Sequence, residues 1–193
     1  MDDRQLEWKV TASEELLRTP VFGVARQSEE AASGMRGDYI AIFAPDWAMV
    51  IAEYRGRFVM VRQWRHAAQC MTTEFPGGVA DEGEDPSAAA VRELYEETGF
   101  KAGRLTHLGS VSPNPALFKN SFHVYLAEDL TPTGEQALDD DELLTYRLIP
   151  IGEVIASYGR GEYTHGLMGT ALALYLQHHG KEKENPRPSG TQA

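Results

Sequence analysis

Residues 78–100 read GVADEGEDPSAAAVRELYEETGF, and this stretch decides how the rest of the chain is read. Asp85 suits a helix N-cap, Pro86 the first helical position and Gly99 a left-handed stop. The residues between them are mostly good helix formers, so the spacing predicts one helix over 86–98. Glu93, Glu96 and Glu97 then fall three and four residues apart and share a face. They lie at the negative end of the helix dipole, where carboxylates are disfavoured. Glu93 and Glu97 also form a like-charge i,i+4 pair, which costs roughly a few tenths of a kcal/mol. Arg92 faces Glu96 one turn on and offsets part of this repulsion. A merely solvated helix end would favour Lys or Arg at these positions. Carboxylates crowded in this way become comfortable when a cation sits among them.

Written as spacing, the stretch is Gly78, five residues, Glu84, seven residues, Arg92-Glu93-Leu94, one residue, Glu96-Glu97, one residue, Gly99-Phe100. At average residue usage, nine such constraints would be met by chance on the order of once in 10⁷ chains of this length. The pattern resembles the Nudix box at every defining position and covers 23 of the 193 residues. The resemblance implies a Nudix-type α/β/α sandwich with a mixed sheet. It also implies metal-dependent cleavage of a nucleoside diphosphate linked to another group, with Mg²⁺ or Mn²⁺ as cofactor. Carried over to this sequence, it makes Glu93 and Glu97 the main metal ligands and Glu96 a further one. Glu84 would position metal or water, Arg92 would orient the glutamates, and Gly77 would offer its backbone carbonyl.

The chemistry supports this independently. A pyrophosphate bridge carries anionic oxygens that repel an attacking water. Hard divalent cations prefer oxygen ligands, neutralise that charge and acidify water. No EF-hand spacing and no Cys or His pattern of the zinc type is present.

The formal charge of −11 argues against nucleic-acid backbones or acidic membranes as partners. It leaves open a small phosphorylated substrate gripped by local arginines and metal. The single cysteine, Cys70, allows no internal disulfide and reads as a small apolar filler. No apolar run reaches the length of about 18 residues that a membrane helix needs. The first ten residues, MDDRQLEWKV, lack the layout of a signal peptide, so a cytoplasmic setting is expected.

Along the chain, 1–45 is expected to form an N-terminal antiparallel β extension, 46–179 the hydrolase domain and 180–193 a loose polar tail. Short strands are predicted over 6–10, 21–25 and 39–43. A hairpin over 47–52 and 58–64 turns at Arg55-Gly56-Arg57. Further strands are expected over 106–111, 121–127 and 143–149, with a last helix over 166–178.

Outside the box, Arg62-Gln63-Trp64-Arg65 and Glu74-Phe75-Pro76-Gly77-Gly78 resemble motifs of the ADP-ribose pyrophosphatase branch. In that branch the residues matching Arg65 and Glu74 lie at the substrate, and Arg grips phosphate through two parallel hydrogen bonds. Arg62 is a second, weaker candidate. Pro115, fifteen residues past Phe100, matches a proline of the branch that shapes the pocket. The acidic run Asp139-Asp140-Asp141-Glu142 stands where the branch carries a catalytic glutamate on a mobile loop. Glu142 is the best match for the base, with Asp140, Asp141 and Glu96 as alternatives. Trp8, Phe22 and Trp47 are candidates for stacking on a base, and the N-terminal extension would support a homodimer.

The reading is a Nudix pyrophosphatase acting on a nucleoside diphosphate sugar, most like ADP-ribose cleaved to AMP and ribose 5-phosphate. Rival substrates are other nucleotide sugars of the GDP-mannose type, dinucleoside polyphosphates and, less favoured by Arg65 and Pro115, nucleoside triphosphates. A more distant rival is a non-catalytic ADP-ribose sensor. The complete box argues against that.

Overall fold

Asp85 caps the signature helix as its place before Pro86 predicts. In the computed structural model, which describes residues 3–139 and 142–184, helix α1 runs Pro86–Thr98. The Asp85 carboxylate accepts the Ser87 amide at 2.8 Å. Gly99 ends the helix with φ at +68° and donates its amide to the Tyr95 carbonyl. A side chain there would meet the Glu135 backbone as well as the strain of a left-handed conformation, so glycine is required twice over.

Contacts divide the chain into two units. One comprises residues up to Asp46 together with Val111–Phe122, and the other comprises the remainder. In the first, a 3₁₀ turn at Asp3–Leu6 precedes β1 (Trp8–Arg18), β2 (Gly23–Ala31) and β3 (Arg36–Phe43). These form an antiparallel sheet in the order β1-β2-β3. Trp8 packs edge-on against Tyr39 with ring centroids 5.5 Å apart. Ile42 bridges to Phe118 in parallel, so the segment 111–122, expected in the hydrolase domain, belongs with this sheet.

The second unit is built on β4 (Trp47–Tyr54), β5 (Arg57–Arg65), β6 (Cys70–Glu74), β7 (Gly77–Val79), β9 (Arg104–Val111), β10 (Phe122–Glu128) and β12 (Leu144–Pro150). The sheet order is β12-β5-β4-β10-β9, with β6 added on β5 and β7 on β4. A small pair, β8 (Phe100–Lys101) and β11 (Thr131–Pro132), follows α1. Helices α2 (Ile151–Ser157) and α3 (Gly166–Glu184) complete the unit.

Neighbouring strand residues point to opposite faces, and this sorts the core. Val50, Ala52 and Val59 pack with Ala89, Ala90 and Leu94 of α1 on one face. Leu94 is fully buried, a gain of about 1.5–3 kcal/mol. The opposite face carries Phe58, whose ring meets Tyr175 of α3 at 5.1 Å. The layers are therefore helix, sheet, helix, as the resemblance implies.

Four elements stand out against expectation. β1 extends through Thr11-Ala12-Ser13-Glu14-Glu15-Leu16-Leu17-Arg18, a stretch without strand-like alternation. It is held by pairing along the whole of β2 rather than by propensity. β6 and α2 had no sequence signal, being five and seven residues long. α3 continues to Glu184, past the point where a loose tail was expected.

Candidate active site

The end of α1 gathers the acidic side chains. Carboxylate oxygens of Glu93, Glu97 and Glu142 all lie within 4.8 Å of one another. Glu93 and Glu97 are buried, at 8% and 3% exposure. Glu142 arrives from the loop before β12. Burial pushes the Glu97 carboxyl up to about 8; the Gly77 amide opposes this, and neighbouring Glu93 and Glu142 add to it. Burial likewise raises Glu93 to about 7, against the pull of Arg92. Two buried carboxylates that resist ionisation side by side form a donor set suited to a hard divalent cation.

Backbone geometry holds this set. The Gly77 amide donates to Glu97 Oε2 at 2.8 Å. A side chain at Gly78 would overlap the Glu93 carboxylate, so β7 passes directly beneath it. The segment after β11 is laced to the helix end. The Ala137 amide donates to the Glu96 carbonyl at 2.9 Å, and Gln136 Nε2 donates to the Glu97 carbonyl. These bonds satisfy carbonyls that a helix C-terminus otherwise leaves open, and they anchor the start of the loop bearing Glu142. Sequence reading missed this role of Gln136, since a lone glutamine in a polar loop carries no signal.

Arg92 joins several of these groups. It bonds Glu84 at 3.1 and 3.0 Å, Glu93 at 2.9 Å, Glu96 at 3.0 Å and the Val79 carbonyl at 3.0 Å. Its own pKa is raised, first by the bond to Glu84. Glu96, one turn after Arg92, is held by it at 3.0 Å and is not among the three carboxylates that meet. Glu84 is spent on Arg92 and the Asp81 amide, and reaches the cluster only through Arg92.

Beside the cluster, Arg65 and Glu74 form a two-pronged pair at 2.9 and 2.6 Å. Glu74 is 1% exposed. Burial alone would raise its pKa, but the bond and charge of Arg65 outweigh burial and hold it below the ordinary value. Glu97 feels the charge of Arg65, so the pair lies near the carboxylates. His165, before α3, stands 3.9 Å from Glu74.

Arg62 belongs elsewhere. It pairs with Thr73 in register, and Thr73 and Glu74 point to opposite faces. Arg62 bonds Glu162 at 2.8 and 2.6 Å, away from the α1 face, so the expected phosphate grip is replaced by an ion pair. Trp47 opens β4 opposite Val79 and is half-buried. Pro115, Trp8 and Phe22 belong to the N-terminal unit. Asp140 and Asp141 lie outside the described residues.

Comparison with known proteins places the chain in a family. The NUDIX domain model matches residues 43–166. The chain belongs to the Nudix hydrolase family. Nudix hydrolases are generally dependent on a divalent metal, in keeping with the donor set on α1. The ADP-ribose pyrophosphatase of Bacillus subtilis (strain 168) is 32% identical over 143 residues, spanning 73% of this chain and 77% of that one. The ADP-ribose pyrophosphatase of Mycobacterium tuberculosis (strain ATCC 25618 / H37Rv) is 32% identical over 148 residues, 75% of this chain and 70% of its own. A crystal structure of an ADP compounds hydrolase superposes with a TM-score of 0.79 at 24% identity, covering 94% of this chain and 97% of that one. This last likeness establishes the Nudix fold.

Proposed function

We propose that this Nudix hydrolase cleaves the pyrophosphate bond of a nucleoside diphosphate linked to a sugar, with ADP-ribose yielding AMP and ribose 5-phosphate. The observation that carries the reading is the close approach of Glu93, Glu97 and Glu142 beside the Arg65–Glu74 pair. Relatives named for ADP-ribose hydrolysis support the substrate class.

In this reading Glu93 and Glu97, with the Gly77 carbonyl, hold Mg²⁺ or Mn²⁺. When bound, the cation neutralises the bridging phosphates and acidifies water. Arg92 keeps Glu93 oriented and draws Glu96 aside. Arg65, with two-fifths of its side chain open to solvent, turns its free guanidinium edge to a phosphate while Glu74 fixes its plane. Glu142 takes the proton of the attacking water, and the 133–137 lacing keeps its loop within reach.

The exposed apolar residues of the N-terminal sheet, among them Leu17 at 51% and Ile40 at 43%, support a homodimer built through that sheet. We also propose a cytoplasmic location. No described helix is long and apolar enough to cross a membrane.

The test is a panel of ADP-ribose, GDP-mannose, diadenosine polyphosphates and nucleoside triphosphates, incubated with Mg²⁺ and read by product mass. Fastest turnover of ADP-ribose to AMP and ribose 5-phosphate is expected. Cleavage confined to triphosphates overturns the substrate class. ADP-ribose binding with no product in calorimetry would instead make the protein a sensor.

A further inference from the structure

Seven arginines of this strongly acidic chain, Arg18, Arg26, Arg36, Arg62, Arg65, Arg92 and Arg104, each pair with a carboxylate. Arg147 of β12 and Arg160 of the loop after α2 do not. Neither guanidinium makes a hydrogen bond or ion pair among the described residues, although the chain holds 29 acidic residues against 18 basic ones. Both line a single open cavity of about 370 Å³, together with Thr73, Ser157, Glu162 and Tyr163. That volume lies at the small end of the range for ligand sites.

The carboxylate in this cavity is already engaged. Glu162 accepts both prongs of Arg62, at 2.8 and 2.6 Å, and the Thr73 hydroxyl at 3.0 Å. It therefore has little left to offer the other two guanidiniums. Glu153 of α2 is the other acid felt here, acting on Tyr163. Three arginines thus stand against two carboxylates, with the hydroxyls of Ser157 and Tyr163 as further donors. In a chain of charge −11, this local excess of positive charge and hydrogen-bond donors is complementary to an anion.

The cavity is separate from the candidate active site. Arg147 pairs in register with Met60, and Arg62 with Thr73, so these residues share one sheet face. Glu74 pairs with Val61 and shares the other face with Val59, which packs on α1. The sheet itself stands between the two arginines and the glutamate cluster.

We propose that this cavity binds the phosphate group of a small phosphorylated molecule, with Arg147 and Arg160 gripping the anion and Ser157 and Tyr163 donating to it. The site goes beyond the pyrophosphatase reading and does not rest on it. One phosphate chemistry has two sources here, free inorganic phosphate and a phosphorylated sugar. If Tyr163 stacks or donates to a sugar, the second source binds more tightly.

The test uses the full chain in EDTA at low salt, so that metal-assisted phosphate binding on α1 is suppressed. Inorganic phosphate, ribose 5-phosphate and AMP are titrated in separate arms while backbone amide shifts are followed by NMR. Saturable shifts at residues 157–163 are expected below about 10 mM, the weak end of specific binding. The Arg147→Gln/Arg160→Gln protein should bind at least about tenfold more weakly, with kcat on the best nucleotide substrate unchanged. Should the double variant fold poorly by circular dichroism, Arg160→Gln alone serves, because Arg160 is exposed on a loop. Equal affinity for phosphate and ribose 5-phosphate assigns the site to free phosphate. Tighter binding of ribose 5-phosphate, lost in Tyr163→Leu, assigns it to a phosphorylated sugar. Shifts confined to residues 77–97, or binding unaltered in the arginine variants, would overturn the proposal. Either of those results leaves the hydrolase reading intact, since that reading is measured by turnover with Mg²⁺.

Discussion

Two buried carboxylates in this protein, Glu97 and Glu74, are made of the same chemistry and behave in opposite ways. Both are almost completely enclosed, at 3% and 1% exposure. Glu74 has an arginine of its own, bound through two prongs, and its pKa is lowered. Glu97 has one backbone amide and two glutamate neighbours, and its pKa is pushed up to about 8. Arg92, the nearest organiser on α1, is divided among Glu84, Glu93 and Glu96 and bonds nothing of Glu97. Burial alone therefore decides little. What separates a structural carboxylate from one poised for a metal is the count of counter-charges within bonding distance.

The contrast breaks most sharply in Glu97→Gln. With Mg²⁺, kcat should fall by at least about 10²–10³-fold, the scale of losing a key electrostatic group. The apo-protein should melt no lower than the parent, because glutamine keeps the acceptor for Gly77 and removes a disfavoured charge. Retained Mg²⁺-dependent turnover would remove Glu97 from the site.

Arg65→Met is the mirror experiment. It strands Glu74 as a buried, unpaired charge. Arg65 is itself two-fifths exposed, so the cost is about 2–3 kcal/mol, below that of a fully buried pair. Urea unfolding measures it, and a KM increase larger than the kcat loss is expected. Unchanged stability would mean that Glu74 does not depend on Arg65.

A pH series separates the two carboxylates without mutation. Glu93 and Glu97 have raised folded pKa values, about 7 and about 8 against an ordinary 4.5. Between those values the folded state holds more protons than the unfolded one, so their contribution to stability is present at low pH and lost as pH rises to about 8. Glu74, with its lowered pKa, contributes stability that is lost as pH falls through the acid range. In EDTA the midpoint of urea unfolding should drop steadily between about pH 5 and 8. Mg²⁺ should flatten the drop. A flat profile in EDTA would show that the cluster ionises freely.

The smallest effect is expected at Arg62 and Glu162. A double-mutant cycle to alanine should give a coupling under about 1 kcal/mol, since both side chains are about a third exposed. KM for the nucleotide substrate should not move. A large KM change would return Arg62 to the substrate.

The outlines of the second unit were legible because they rest on local rules. Asp85, Pro86 and Gly99 set the limits of α1 to the residue, and Arg55-Gly56 marked the hairpin turn, where both residues have positive φ. The N-terminal sheet was read only in part, because β1 is exposed along most of its length and carries no alternation to detect. β6, α2 and the Gln136 tether were missed because each is fixed by partners distant in sequence. In the candidate site, Glu93, Glu97, Arg65 and Glu74 could be picked from motif spacing. Spacing could not show that Glu96 and Glu84 are spent on Arg92.

By itself, the sequence determined the helix, its caps and the set of acids on its last turns, since those depend on neighbours three and four residues away. Tertiary structure alone decided which acids meet. Glu142 joins Glu93 and Glu97 from a loop more than forty residues later in the chain. Arg62 and Arg65, three residues apart, are sent to opposite faces of β5 by an odd spacing and strand alternation. Ionic partnership is a matter of a few ångströms through space, and a chain fixes such distances only when its sheet registers are set.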